Sequence, residues 1–536
     1  MFIAVLAVSE NLAAQESPNE PAAPHDASAA AQTFDVWEIR VLGNTVLPQR
    51  EVEKVLYPFL GADRAIADIE KARLALETRY KDAGYGTVYV DIPEQEVKSG
   101  VVRLRVTEGR LDRVRVTGAR YYSNRAICAE IPALSEGKVL NLNDVQKELT
   151  AVNRQAPRDR TVVPILKAGR TPGTVDAELK VKDSLPVHGG VEFNNRYTAD
   201  TSHNRLSANL SFDNLWQRYH SIALQYQTAP GKPREADVIA GTYVAPLQSN
   251  GNIFAVYAVH TDSEFTTLGP QFNSLGVVGK GSIYGLRYIV PLQSTPTQVD
   301  NMAFGADYKD FRENIVQSDG SVATTPISYI NWSVDYSATR PGEGRLTTFD
   351  IAVDFGVRGL ANSSEEFAFK RYSGQPNKGD PNYFYLRGSA RHQQRLFGDF
   401  SAAIKLTGQY TWQALISNEQ FAIGGADSVR GYLESESLGD YGAAGSVELR
   451  WALPQSWLGD EHSVSTLLFY DDGFTRIHYP LPEQVDLVQL SSWGAGAEFA
   501  GFGGFSANFA WAYPLRDGDH VAKGDTRWHF QVKYDF

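Results

Sequence analysis

The sequence predicts a mainly β protein: a sixteen-stranded antiparallel transmembrane β-barrel preceded by two small α+β modules of order β-α-α-β-β. Three observations carry that prediction. The composition is rich in aromatics and glycine yet lacks long apolar runs; the last two thirds alternate with a period of two; and an ordered segment of about 75 residues occurs twice in tandem near the start.

Composition comes first. Among 536 residues, Tyr 26, Phe 26 and Trp 9 stand beside Gly 46 and only Met 2. Mean hydropathy is −0.31, and no run reaches the roughly 18 apolar residues that a membrane-spanning helix needs. A membrane barrel has this signature because its lumen-facing positions dilute the lipid-facing ones. Lys+Arg 51 against Asp+Glu 63 gives a formal charge of −12. With no dense basic run, nucleic acid is a poor partner, since its phosphates reward clustered Lys and Arg.

Residues 1–32 read as a signal peptide lacking its charged start, followed by a linker. Met1 to Ala14 is short and apolar and ends in small residues, but no Lys or Arg precedes Arg40. Residues 15–32 are rich in Ala, Pro, Ser and Asn.

The first module spans residues 33–108. Val36 to Leu42 predicts a strand, Pro48 to Leu60 a short helix and Ala65 to Asp82 a longer one. In the longer helix Ile69, Ala72, Leu76 and Tyr80 share one face, which must pack on a sheet. Gly84 and Gly86 break the helix, and strands follow at Thr87 to Ile92 and Val101 to Val106. Residues 109–185 repeat the order: a strand from Leu111, helices at Ser123 to Ile131 and Asn141 to Gln155, and strands at Thr161 to Lys167 and Thr174 to Lys182. A three-stranded sheet has free edges, which can take up an extended peptide; a plain spacer is the competing reading. The single cysteine, Cys128, is expected to be a buried structural thiol.

Residues 186–536 form the barrel. In the last strand Trp528, Phe530, Val532, Tyr534 and Phe536 fall on one face, with Arg527, His529, Gln531, Lys533 and Asp535 on the other. Phe505, Ala507, Phe509, Trp511 and Tyr513 show the same split. Sixteen strands begin near residues 188, 204, 219, 235, 252, 282, 298, 327, 346, 382, 399, 443, 462, 488, 503 and 526. In hydrocarbon a sheet must close on itself, because unpaired backbone groups have no water to turn to.

One loop stands out. FAIGGADSVRGY, residues 421–432, combines three glycines with Arg430, and LLFYDDG further on places Phe469 and Asp471 on one face of a strand, followed by Gly473. A solvated turn with an incidental arginine is the ordinary reading. The other is a loop reaching into the lumen, where Arg430 meets Asp471.

These motifs, with the terminal Phe536, GNTVLP at 43–48 and the Gly84–Tyr85 pair, resemble the two-partner secretion transporters (TpsB), the haemolysin-activator and filamentous-haemagglutinin transporter family of the outer-membrane assembly factor superfamily. The resemblance covers residues from about 34 to 536. It implies two periplasmic POTRA domains and an outer-membrane barrel whose sixth extracellular loop folds back into the pore. Val429, Arg430, Gly431 and Tyr432 match the loop tip; Phe469, Asp471 and Gly473 match the barrel wall that receives it; Trp528, Phe530, Val532, Tyr534 and Phe536 match the terminal barrel signal. It further implies a large secreted exoprotein, an adhesin or haemolysin, as partner, with outer-membrane lipids around the barrel and the barrel-assembly machinery for insertion, and neither cofactor nor metal. Residues 15–32 depart from the family's pore-plugging helix, being a poor amphipathic sequence.

The alternative within the superfamily is a factor that inserts other barrels, which normally carries more POTRA repeats. An enzyme is disfavoured by the lack of a GxSxG elbow or HExxH helix. Gly279-Lys280 is no phosphate loop, since Ser274 and Gly281 stand where glycine and Ser or Thr belong.

Overall fold

The computed structural model describes residues 33–536 apart from 98, 156–158, 200, 248–250, 263–264, 268–275, 279, 296, 317–321, 362–364, 373–378, 460 and 481–483. The signal and linker assigned to residues 1–32 lie outside the described residues.

The first module contains β1 (Thr33–Val36), β2 (Glu38–Leu42), α1 (Gln49–Leu56), β3 (Gly61–Ala65), α2 (Ile66–Asp82), β4 (Tyr89–Asp91) and β5 (Val101–Thr107). Its sheet has the order β2-β5-β4, with β2 parallel to β5. The predicted face of α2 is the buried one: Ile69, Ala72, Leu76 and Tyr80 join Val90, Val102 and Leu104 in the core. The single strand expected at Val36 to Leu42 is instead two, because β1 leaves to pair with β3. Periodicity does not reveal β3, since GADRA carries no apolar alternation and turns through positive φ at Gly61 and Asp63.

The second module contains β6 (Arg110–Thr117), α3 (Asn124–Ala129), α4 (Leu142–Gln155), β7 (Arg160–Ala168) and β8 (Thr174–Asp183), with sheet order β6-β8-β7 and β6 parallel to β8. The last strand of each module is thus the middle of its sheet. Cys128 is exposed, not buried; α3 is a short helix, and its neighbour Ile127 takes the inward position.

The repeat shows at atomic level in one glycine of each module. Gly43 has φ +90 and Gly118 φ +87, and a Cβ on either would stand 2.3 Å from a backbone oxygen, that of Val106 or Val181. Only glycine tolerates both the left-handed conformation and that approach. Gly118→Ala is expected to destabilise its module by about 1 kcal/mol or more, seen as faster proteolysis within residues 109–185, with the barrel's heat-modifiable mobility unchanged.

The barrel strands are β9 (Val187–Asn194), β10 (Arg205–Leu215), β11 (His220–Thr228), β12 (Val238–Pro246) and β13 (Ile253–Thr261). After a small hairpin, β14 (Phe265–Thr267) and β15 (Gly276–Val278), come β16 (Gly281–Thr295), β17 (Gln298–Val316), β18 (Val322–Gly342) and β19 (Arg345–Gly356). Helix α5 (Glu365–Tyr372) precedes β20 (Phe384–Arg395) and β21 (Phe400–Tyr410). A loop bearing the ribbon β22 (Phe421–Ile423) and β23 (Ser437–Gly439) leads to β24 (Tyr441–Ala452) and the one-turn α6 (Gln455–Leu458). Then follow β25 (Ser463–Arg476), β26 (Leu487–Gly501), β27 (Phe505–Pro514) and β28 (Arg527–Asp535).

Sixteen of these form a closed antiparallel barrel, with β28 pairing back onto β9. Alternation holds: on β25 Leu467, Phe469 and Asp471 are buried, while Leu468 is 59 % and Tyr470 46 % exposed. Not every residue after 187 is strand or turn, however. Helix α5 sets Phe369 into an apolar cluster with Tyr329, Phe311, Tyr383, Tyr385 and Ile416, all buried. Beside it the buried Glu419 carboxylate accepts from the Tyr329 and Tyr385 hydroxyls and from Lys309. Sequence periodicity misses α5 because the helix is only two turns long.

Candidate functional site

The loop from Thr411 to Asp440 carries the sequence-predicted tip. Its ribbon, β22 with β23, brings the chain out and back in register, Phe421 opposite Gly439. The tight bend uses Gly424 and Gly425, at φ +105 and +94; a Cβ on Gly425 would collide with the Glu434 carboxylate at 2.4 Å. These glycines let Glu434 fold against the bend, where it accepts the Ala426 N–H and the Arg196 guanidinium.

Arg430 projects from this bend onto β24 and β25. Its Nε and a terminal nitrogen donate to the two oxygens of Asp471 at 2.7 and 2.8 Å, and its backbone N–H adds a bond of 3.1 Å. The other contacts are Ser446 Oγ at 2.9 Å and Glu448 Oε1 at 2.9 Å. The guanidinium carbon lies 3.5 Å from the centre of the Phe469 ring, a cation–π contact. Register explains the convergence, since Ser446 faces Asp471 and Glu448 faces Phe469 across adjacent strands. Asp471 is 0 % exposed, so its charge is compensated by this arginine rather than by water.

The rest of the tip is anchored on other walls. Val429 is buried against Gly473, where a Cβ would stand 3.2 Å from Val429 Cγ2. Gly431 N–H donates to His529 Nε2 on β28 at 2.8 Å. The Tyr432 hydroxyl donates to the backbone oxygens of Ser491 and Arg516, at 3.0 and 2.8 Å. Arg196, just after β9, bridges Asp427 and Glu434 at 2.5 and 3.1 Å. Glu436 accepts the backbone N–H of Val521 at 3.0 Å. The structure therefore gathers Val429, Arg430, Gly431, Tyr432, Phe469, Asp471 and Gly473 in one place. Trp528, Phe530, Val532, Tyr534 and Phe536 lie apart, on the outer face of β28, with Phe536 bonded through its backbone to Gly189.

Sequence reasoning missed Ser446, Glu448, His529 and Arg196. Each sits on a lumen-facing or loop position of ordinary composition, and only the closing of the barrel brings them to one loop. Among the described residues, Asp159, His188 and Asp213 place three metal-ligand atoms within 4.8 Å of one another. His188 Nε2 lies 2.9 Å from Asp159 and 3.6 Å from Asp213.

The family model described as "Haemolysin secretion/activation protein ShlB/FhaC/HecB" matches residues 173–499, and "POTRA domain, ShlB-type" matches residues 34–109. The outer membrane transporter CdiB of Dickeya dadantii is 25 % identical over 491 residues, covering 90 % of this chain and 83 % of that protein. The heme/hemopexin transporter protein HuxB of Haemophilus influenzae is 21 % identical over 511 residues, covering 93 % and 87 %. The solved structure of CdiB from Escherichia coli shares the fold with a TM-score of 0.63 at 21 % identity, covering 96 % of this chain and 93 % of that one. The chain therefore belongs to the ShlB/FhaC/HecB haemolysin secretion/activation family, outer-membrane two-partner secretion transporters whose POTRA domains lie in the periplasm.

Proposed function

We propose that this transporter captures a large partner exoprotein, an adhesin or haemolysin, in the periplasm and passes it unfolded through its barrel to the cell surface. The observation that carries the reading is the loop 411–440, drawn into the barrel and held at its tip by the bidentate Arg430–Asp471 pair. A loop bound by side-chain contacts to the wall can be released and rebound, as a moving polypeptide requires. Free sheet edges in the periplasmic modules suit capture of an extended segment by main-chain hydrogen bonds. No nucleotide is required: capture on one side and folding on the other supply direction. The barrel-assembly machinery and lipids would serve the protein's own insertion.

The test is to delete the gene and compare the culture medium. One large polypeptide should vanish and return when the wild-type chain is supplied. An unchanged medium, with other outer-membrane barrels depleted instead, would replace this reading by the barrel-insertion one.

A further inference from the structure

The lumen beside the loop tip holds a cavity of about 460 Å³, lined by charged side chains of both signs. Its carboxylates are spent on particular partners. Glu448 binds Arg430 and Arg450, and Glu498 binds Arg450. Asp427 binds Arg196. Two lining cations remain, Arg391 on β20 and Lys405 on β21, and the register sets them directly opposite each other. Like charges in that position repel and destabilise the strand pair.

Neither makes an ion pair among the described residues, and the carboxylate that Lys405 attracts, Asp427, is already bound by Arg196. Arg391 has no hydrogen bond or ion pair there, and Asp350, the carboxylate diagonal to it across β19, accepts instead from the Ser389 hydroxyl at 3.1 Å. Lys405 donates to the backbone oxygen of Asp427 at 2.6 Å rather than to a carboxylate. A fork of guanidinium donors facing an ammonium, over an open cavity, is the receptor for a carboxylate.

We propose that Arg391 and Lys405 form a binding step for the Asp and Glu side chains of a polypeptide crossing the barrel. The proposal rests on the transport reading above and adds the chemistry the pore favours: an acidic segment pauses here, a basic one does not. The strands hold these two cations side by side, so a carboxylate that arrives between them relieves a like-charge repulsion already present and gains charge-assisted hydrogen bonds.

The test uses the purified full-length chain in planar bilayers, with a short oligoglutamate peptide as probe and oligoglutamine, oligolysine and inorganic phosphate beside it. Oligoglutamate should interrupt the current at a concentration at least about tenfold below that of oligoglutamine, and oligolysine should not interrupt it. Arg391→Gln with Lys405→Gln should erase the preference. Arg391→Glu gives a second route: it places a carboxylate opposite Lys405, should fold at least as well as the wild type, and should erase the preference too. Equal block by oligoglutamine, a preference that survives either variant, or block by phosphate as strong as by oligoglutamate would each overturn the proposal. Because no exoprotein enters this measurement, it fails or succeeds independently of the secretion test.

Discussion

Arg430→Ala should abolish export, or cut it at least about tenfold, while leaving a folded, heat-modifiable barrel in the outer membrane. The substitution removes both side-chain bonds to Asp471, the bonds to Ser446 and Glu448, and the stacking on Phe469 in one step. It strands a carboxylate that is 0 % exposed. Breaking such a pair from one side typically costs about 3 to 5 kcal/mol, enough to shift the loop from held to free without dismantling the strand ladder. Arg430→Lys should rescue poorly, since an ammonium reproduces neither the fork nor the flat face over the ring. Arg430→Ala with Asp471→Ala should melt at a higher temperature than Arg430→Ala alone, because no orphan charge remains, yet should still fail to export. Normal secretion by Arg430→Ala would show that the loop does not gate passage.

Deletion of residues 111–183 is expected to abolish binding of the exoprotein's amino-terminal domain while ion conduction persists. The barrel closes through β28 and β9 without this module. The module contributes the nine-residue β7, an outer strand of its sheet, with Val163 51 % exposed. Pro164 sits within β7, in keeping with an edge position where no ladder bond is lost. A pull-down with the partner's amino-terminal domain, paired with conductance of the same preparation, checks both halves. Retained binding would show that this module is a spacer.

Much of the fold was legible because the barrel obeys a rule with a two-residue period. Trp528, Phe530 and Val532 must face lipid once Arg527, His529 and Gln531 face inward, and the observed strand count is the one that pattern predicts. The α2 face was legible for the same reason at a helical period. What escaped were elements too short to show a period, β3 and α5, and the exposure of Cys128, which depends on which side of the brief helix α3 turns inward. Within the site, the Arg430 and Asp471 motifs could be read locally. The partnership of Gly431 with His529, or of Arg196 with Glu434, could not: these residues lie far apart in sequence and become neighbours only through the circumference of the barrel.

The His529 bond sets an order of events. That histidine lies on the last barrel strand in chain order, and its ring reaches Gly431 only when this strand has been stitched in. An unfinished cylinder therefore lacks one of the fastenings that keep its inward finger taut, and a chain clipped before β28 never acquires it. Maturation and readiness for work are in this way completed by the same stretch of polypeptide.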